Sequence, residues 1–175
     1  MLKKTIWELD RPEIAQFKVS PKIPVVLVLD NVRSLNNIGS MFRTADAFSI
    51  EGIYLCGISA VPPSPEIHKT ALGAEDSVDW RYFDDTLDAV ENLKRGGYTV
   101  CALEQVNGSV ELQNFTVDET GRYAIIVGHE VDGVSQAVVD AADCCIEIPQ
   151  RGTKHSLNVA NSAAIALWHF FTKMM

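Results

Sequence analysis

The sequence predicts an α/β protein with a largely parallel sheet and helices on both of its faces. Short apolar runs rich in Val, Ile and Leu recur along the chain, as expected of strands that are buried on both faces. Segments with apolar residues at helical spacing separate these runs. The 175 residues are 47% apolar and 22% charged, which is typical of one globular domain with a sizeable core.

These patterns assign five strands and four helices. We predict strands at 24–30, 50–57, 97–105, 122–128 and 144–149, and helices at 36–48, 84–95, 133–142 and 155–173. We interpret the polar residues 1–22 as an N-terminal arm or short helix that precedes a single domain at 23–175. A proline-rich loop and a short segment, TALGAEDSVDW, join the second strand to the second helix. The pattern alone favours an unknotted doubly wound sheet, since knots are rare.

Composition and motifs exclude several classes of protein. The chain has no apolar stretch of membrane-spanning length, and its start, MLKKTIWELDRPEIAQ, lacks the apolar run of a signal peptide. We therefore expect a cytoplasmic protein whose four cysteines are buried, reduced thiols. The chain contains no dinucleotide, P-loop or nucleophile-elbow motif. Its four histidines are scattered, so we expect no metal site.

Three groups of polar residues follow predicted strands, where open α/β sheets bind ligands. In SLNNIGSMFRTADAF, Asn37 could cap a helix while Arg43 projects from its second turn. In VGHEVDGVS, a glycine after an apolar strand permits close approach of the backbone to a ligand. In IPQRGTKHSLNVANSAA, Ser156 could cap the last helix. Taken alone, each group also fits a simpler interpretation as caps, turns and surface charges.

Taken together, the three groups resemble the three sequence motifs of the SpoU–TrmH family of RNA ribose methyltransferases. They occur in the family's order between residues 25 and 172, and the third contains the family's SLNV signature. The resemblance implies a deep trefoil knot in the C-terminal segment, S-adenosylmethionine bound in that knot, and a homodimer. It also implies methyl transfer to a ribose 2′-hydroxyl of tRNA or rRNA. The segments HKTALGAEDSVDW and IEIPQRG resemble the branch that methylates a D-loop guanosine of tRNA.

The resemblance carries site residues onto this sequence. The motif residues expected in catalysis are Arg43, Asn37, Glu130, Ser156 and Asn158. The segments expected to hold the cofactor lie around Leu103, Gly128, His129, Ile148 and Leu157. We expect RNA contacts from the cations Arg33, Lys69, Arg151 and Lys154, with His155 as a hydrogen-bond donor. Departures from the family pattern at His129, at the pair 150–151 and at Asn161 leave the subfamily open.

The formal net charge of −8 argues against RNA binding, because contacts to phosphates need cations. RNA binding therefore requires the few cations to be concentrated on one face. Three alternatives stay open: a non-catalytic RNA-binding protein of the same fold, a methyltransferase for an RNA base, and a small-molecule-binding α/β domain. The pair of Asn37 and Arg43 argues against the first, the SLNV motif argues against the second, and the net charge favours the third.

Overall fold

The computed structural model describes residues 2–175, in which seven β-strands form one sheet. The strands are β1 (Ile23–Asp30), β2 (Ile50–Cys56), β3 (Trp80–Phe83), β4 (Thr99–Leu103), β5 (Val110–Glu111), β6 (Tyr123–Val127) and β7 (Cys144–Glu147). The helices are α1 (Ile14–Val19), α2 (Leu35–Ala47), α3 (Pro65–Ala71), α4 (Ala74–Ser77), α5 (Thr86–Arg95), α6 (Gln136–Ala141) and α7 (Val159–Met174). Short 3-10 helices lie at Ile6–Leu9 and Leu112–Asn114.

Every neighbouring pair of strands in this sheet is parallel, and the strand order is β3-β2-β1-β6-β4-β7-β5. Because successive side chains of a strand point to opposite faces, β1 contributes to two cores. Leu27 and Leu29 pack on the face that α2 and α7 cover, whereas Val28 packs on the face that α5 and α6 cover. The prediction of helices on both faces is confirmed, and the sheet is more uniformly parallel than predicted.

Close packing of α2 on α3 sets the position of two cations. A Cβ atom on Gly39 of α2 would lie 2.2 Å from Thr70 Oγ1 and 2.3 Å from the Ile67 carbonyl oxygen of α3. Since no side chain fits into that gap, glycine is the residue that permits this helix contact. As a result, Arg43 of α2 and Lys69 of α3 line the same surface depression.

A buried carboxylate organises the carboxyl end of β1. Asp30 is 1% exposed, and it accepts hydrogen bonds from the Thr86 hydroxyl at 2.6 Å and from the backbone N–H of Ser135 at 2.8 Å. Thr86 is the first residue of α5, and Ser135 is the residue before α6. Asp30 therefore fixes the starts of both helices on that face to the carboxyl end of the sheet.

The predicted elements are present, but some boundaries and some elements were wrong. The helix predicted at 133–142 begins later, at Gln136, and the residues before it are not helical. The helix expected at 155–173 starts at Val159. Two edge strands, β3 and β5, were missed because they have only four and two residues, too few to show a strand pattern. The segment around TALGAEDSVDW forms the end of α3, all of α4 and the start of β3. In the N-terminal arm, Phe17 of α1 packs into the core on the face of the sheet that α2 and α7 cover.

The cysteines are all free thiols, and two of them are less buried than expected. Cys56 and Cys101 are buried, whereas Cys144 and Cys145 are half-buried. Within residues 2–175, no group of three or more His, Cys, Asp and Glu side chains is arranged to hold a metal ion. In the same part of the chain, no helix has the length and apolarity needed to cross a membrane.

Candidate active site

A cavity of about 500 Å³ lies at the carboxyl ends of β4, β6 and β7. Parallel strands bring these ends to one edge of the sheet, and the segment before α7 closes the cavity. The lining contains nine of the residues that the sequence analysis named: Leu103, Gly128, His129, Glu130, Ile148, His155, Ser156, Leu157 and Asn158. All five residues expected to hold a cofactor therefore lie around one cavity.

A tight turn at 129–133 forms one wall of the cavity. The backbone N–H of His129 donates to the Gly133 carbonyl at 3.0 Å, and the N–H of Gly133 donates back at 2.9 Å. The turn packs directly against the end of β6, because a Cβ atom on Gly128 would lie 2.1 Å from the Val134 nitrogen. This close approach explains why glycine follows the strand, as the sequence suggested.

The Glu130 carboxylate holds the first turn of α2. It accepts hydrogen bonds from the backbone N–H groups of Arg33 at 3.0 Å and Ser34 at 2.8 Å, and from the Asn37 amide at 3.0 Å. Burial alone would raise the pKa of Glu130, but the hydrogen bonds from Asn37, Arg33 and Ser34 outweigh it and lower the pKa. The carboxylate is therefore ionised at neutral pH, and its charge also favours the helix N-terminus.

Asn158 connects the start of α7 to the contact between Asn37 and Glu130. Its side-chain oxygen accepts from the backbone N–H groups of Ala160 at 2.9 Å and Asn161 at 3.3 Å, which makes it the N-cap of α7. Its side-chain nitrogen donates to the Asn37 oxygen at 3.1 Å. Asn37 thus accepts from Asn158 and donates to Glu130, so both ends of its amide are engaged. We call these three side chains the Asn–Asn–Glu relay.

Both predicted caps were wrong. Ser34 caps α2, because its hydroxyl accepts from the Asn37 backbone N–H at 3.3 Å, and Asn158 caps α7. Ser156 is exposed and lines the cavity two residues before that cap. Asn161, one of the departures from the family pattern, is exposed. Ser and Asn are both strong N-cap residues, so their positions in the sequence did not show which of them caps each helix.

Arg43 lies apart from the cavity. It lines a second depression of about 490 Å³ together with Lys69, Phe48 and Ala164. Asn37 and Arg43 are separated by six residues of α2, roughly 9 Å along a helix axis, and they project from different sides of it. Of the residues expected in catalysis, Glu130, Ser156 and Asn158 line the cavity, and Asn37 is hydrogen-bonded to two of them. Arg43 lies on a neighbouring surface.

The five cations expected to face RNA or its phosphate are exposed and unpaired. In the described part of the chain, no ion pair to Asp or Glu involves Arg33, Arg43, Lys69, Arg151 or Lys154. Other cations do have such partners: Lys18 with Asp79, Lys94 with Asp143, Arg95 with Glu91 and Arg122 with Glu51. The unpaired set keeps its full charge available to an external anion.

Several polar residues of the lining were missed by the sequence analysis. They are Glu104 and Gln105 after β4, Glu147 at the end of β7, Gln150, and Ser162 in the first turn of α7. A signal for the first three was present, since each lies at the carboxyl end of a predicted strand. Because the predicted strands 97–105 and 144–149 included these three residues, they were not recognised as residues at strand ends.

The family of the chain follows from comparison with known proteins. The model of the SpoU rRNA Methylase family matches residues 24–168, which include every element from β1 to most of α7. The chain belongs to the SpoU rRNA Methylase family. A TrmH family protein of Staphylococcus saprophyticus, whose name assigns it to the tRNA/rRNA methyltransferases, is 29% identical over 160 residues. That match covers 91% of this chain and 63% of the relative, so this SpoU family chain spans less than two thirds of that protein.

Two solved structures share the fold of this chain. A structure described as an AdoMet bound rRNA methyltransferase from Sinorhizobium meliloti matches with a TM-score of 0.79 and 28% identity, over 86% of this chain and 57% of that chain. Another, described by the 2-OH methylation of C/U34 on tRNA, matches with a TM-score of 0.75 and 26% identity. It covers 86% of this chain and 95% of that one.

The Glu130 contact makes a pH-dependent contribution to stability. Its pKa is lower in the folded than in the unfolded chain, so the ionised carboxylate stabilises the fold above pH 4.5, the ordinary value. That contribution is lost as the pH falls below 4.5, through the lowered pKa. We expect Glu130→Gln to reduce the free energy of unfolding by about 1–2 kcal/mol at pH 7 and by less near pH 3.

Urea denaturation followed by circular dichroism at several pH values measures this difference. Glu119→Gln is the matched control, because Glu119 is exposed. An equal loss of stability for Glu130→Gln at pH 7 and pH 3 would contradict the role of the ionised carboxylate.

Proposed function

We propose that this chain transfers a methyl group from S-adenosylmethionine to a ribose 2′-hydroxyl of tRNA or rRNA. The observation that carries the proposal is the cavity at the strand ends, whose lining joins through the Asn–Asn–Glu relay to the helix that holds Arg43. Membership of the SpoU family and the RNA methyltransferase names of its relatives support the same reaction.

The cavity fits S-adenosylmethionine in size and chemistry. Its volume of about 500 Å³ lies within the range of sites for drug-sized molecules. Backbone at Leu103, Gly128, Ile148 and Leu157 would hold the cofactor from several sides, and Gly128 has no side chain in the way. When bound, S-adenosylmethionine supplies an electrophilic methyl group on a positively charged sulfur.

Arg43 acts on the RNA. A ribose hydroxyl has a pKa far above 7, and a guanidinium essentially never loses its proton, so Arg43 is a poor general base. As the new O–CH3 bond forms, the methyl–sulfur bond breaks and the hydroxyl proton passes to solvent. Its unpaired charge instead suits a bidentate grip on the phosphate next to the target ribose, where it stabilises developing negative charge. Lys69, in the same depression, adds a second cation to that grip. Ser156, exposed at the cavity, is placed to contact the substrate.

We further propose that the C-terminal segment of the chain is knotted. The segment 148–158 runs from β7 to α7 and lines the same cavity as the ends of β4 and β6. Together with SpoU family membership, this supports a C-terminal trefoil knot within a single domain at 23–175 that follows the arm at 1–22. An experimental structure whose backbone reduces to an unknotted line would contradict it.

Two positions in tRNA are candidates for the target. The segments HKTALGAEDSVDW and IEIPQRG favour a D-loop guanosine. The structural match that covers 95% of a protein described by C/U34 methylation favours a pyrimidine at position 34 instead. Analysis of the methylated nucleoside separates the two, because one product is a guanosine and the other a cytidine or uridine. The cytoplasm, which the sequence favours, is the compartment we propose for either reaction.

The aromatic surface of α7 supports a homodimer. Trp168 is 54% exposed, and its ring lies 5.7 Å from that of Phe48 and 5.6 Å from that of Phe171. Phe48 also lines the Arg43 depression, so this surface and the proposed RNA grip adjoin each other. Exposed apolar patches of this kind mark interfaces. Pairing of two copies through α7 would therefore build the active site next to the subunit boundary.

The reaction is tested with a labelled methyl group on S-adenosylmethionine and bulk unmodified tRNA and rRNA, followed by nucleoside analysis. We expect a 2′-O-methylated nucleoside with the wild-type chain. Arg43→Ala should lower transfer by at least about a hundredfold while cofactor affinity stays within about twofold, because Arg43 lies outside the cavity.

Arg95→Ala is the control for this variant, since Arg95 is an exposed arginine on α5 at the opposite face of the sheet. Retained turnover in Arg43→Ala would contradict its role. Methyl incorporation on a base would replace ribose methylation with base methylation. Cofactor binding without incorporation into either RNA would favour a non-catalytic RNA-binding protein.

The RNA-facing cations make a separate prediction. Lys154→Glu should weaken RNA binding several-fold at low salt and reduce the steepness with which affinity falls as salt rises, because one phosphate contact is lost. Filter binding between about 50 and 200 mM salt measures both effects. Arg95→Glu serves as the control, and an unchanged salt dependence for Lys154→Glu would remove it from the RNA-binding surface.

The dimer is tested by Trp168→Glu. Placing a charge in the aromatic surface should convert a dimer into a monomer at micromolar concentration, because the charge would have to be buried without a partner. Sedimentation velocity measures the change. Leu87→Glu, an exposed apolar position on α5, is the matched control and should remain dimeric. A monomeric wild-type chain, or a dimeric Trp168→Glu variant, would contradict the interface.

A further inference from the structure

The charge of the cavity lining is uneven. Four carboxylates line it, from Glu104, Glu130, Asp132 and Glu147, and no Lys or Arg is among the described residues of the lining. His129 and His155 are its titratable nitrogen groups. A ligand in this cavity therefore meets more negative than positive charge. The effect of each carboxylate depends on whether it already has a partner within the protein.

Two of the four carboxylates accept hydrogen bonds within the protein, and a third is exposed to solvent. Glu104 accepts from the backbone N–H groups of Gln105 and Val134, each at 2.9 Å. Glu130 is held by the first turn of α2. Asp132 lies 3.1 Å from His129 Nδ1, and its side chain is 82% exposed at the rim, where water screens it. These groups hold the walls in place, and their charge is partly neutralised or screened.

Glu147 is the exception. It is the last residue of β7, half-buried, and it lines the cavity beside Ile148. Within residues 2–175, its carboxylate makes no side-chain hydrogen bond and no ion pair. A half-buried, unpaired charge attracts an oppositely charged ligand more strongly than a fully exposed one, because the local dielectric is lower than that of water.

We propose that Glu147 makes the cavity selective for the positively charged S-adenosylmethionine over its demethylated product. The inference rests on the proposed cofactor. S-adenosylmethionine carries a sulfonium, whereas S-adenosylhomocysteine has a neutral thioether at the same atom and shares the rest of the molecule. Attraction between the Glu147 carboxylate and the sulfonium is lost when the methyl group leaves. The product therefore binds less tightly and is released to allow the next turnover.

Isothermal titration calorimetry on the full chain tests the assignment with three ligands. They are S-adenosylmethionine, S-adenosylhomocysteine, and sinefungin, in which an ammonium-bearing carbon replaces the sulfonium. Glu147→Gln keeps the shape and removes the charge. We expect it to weaken binding of the two cationic ligands by about tenfold, about 1.4 kcal/mol, and binding of the neutral product by less than about twofold.

Glu119→Gln is the control. Glu119 is an exposed carboxylate that lies outside the cavity lining. It should leave all three affinities unchanged. The wild-type chain supplies a test that needs no variant: its preference for S-adenosylmethionine over the product should fall as salt rises, because salt screens the attraction.

The outcomes separate the inference from the proposed function. Equal weakening of all three ligands by Glu147→Gln would overturn the inference, because the carboxylate would then contact a part that they share. Unchanged affinities would also overturn it. If the wild-type chain bound none of the three ligands, the proposed cofactor would fail first, and the inference with it. A wild-type preference that does not depend on salt would contradict the electrostatic origin.

Discussion

The hydrogen bonds from Asn158 through Asn37 to Glu130 connect three segments that are distant in sequence. Asn158 caps α7, Asn37 lies in the first turn of α2, and Glu130 lies in the turn after β6. Each of these side chains makes hydrogen bonds to backbone N–H groups at a helix terminus or to a side-chain amide, and these groups would otherwise lack partners once they are removed from water. Because the contacts are shared, the wall of the cavity and the start of the α2 helix are positioned by the same side chains.

The parallel sheet explains why these segments meet. Parallel strands place all carboxyl ends on one edge, and the loops that follow them share the space above it. Glycine makes the arrangement tight at two points: Gly128 lets the turn at 129–133 pack onto β6, and Gly39 lets α2 approach α3. The first contact shapes the cavity. The second brings Arg43 and Lys69 together on a neighbouring surface.

The distribution of charge bears on the proposed binding of RNA by an acidic chain. The net charge is −8, and the five cations expected to face RNA have no acidic partners among the described residues. Four carboxylates and no Lys or Arg lie among the described residues of the cavity lining, where a cationic cofactor fits better than an anionic one. The cationic cofactor and the anionic RNA require surroundings of opposite charge, and the two proposed binding surfaces are separate.

The sequence alone predicted much of the architecture. Apolar runs such as PVVLVLD specify strands buried on both faces, and helical spacing specifies α2, α5 and α7, because both patterns depend on local periodicity. The second and third motif groups contain many of the residues that line the cavity, whereas the first contributes Asn37 to the relay and Arg43 to a separate depression. The edge strands β3 and β5 were harder to predict, because four and two residues are too few to show a pattern. Caps were also misassigned, since several Ser and Asn residues compete for the same role.

Tertiary structure decided what depends on contacts between distant residues. No local pattern shows that Glu130 accepts three hydrogen bonds from α2, or that Asn158 reaches Asn37 across 121 positions of sequence. The separation of Arg43 from the cavity likewise follows only from the packed chain, as does the lack of a partner for Glu147 among the residues that the structure describes. Sequence periodicity determines which face of an element is buried, whereas the pairing of polar side chains depends on how the faces come together.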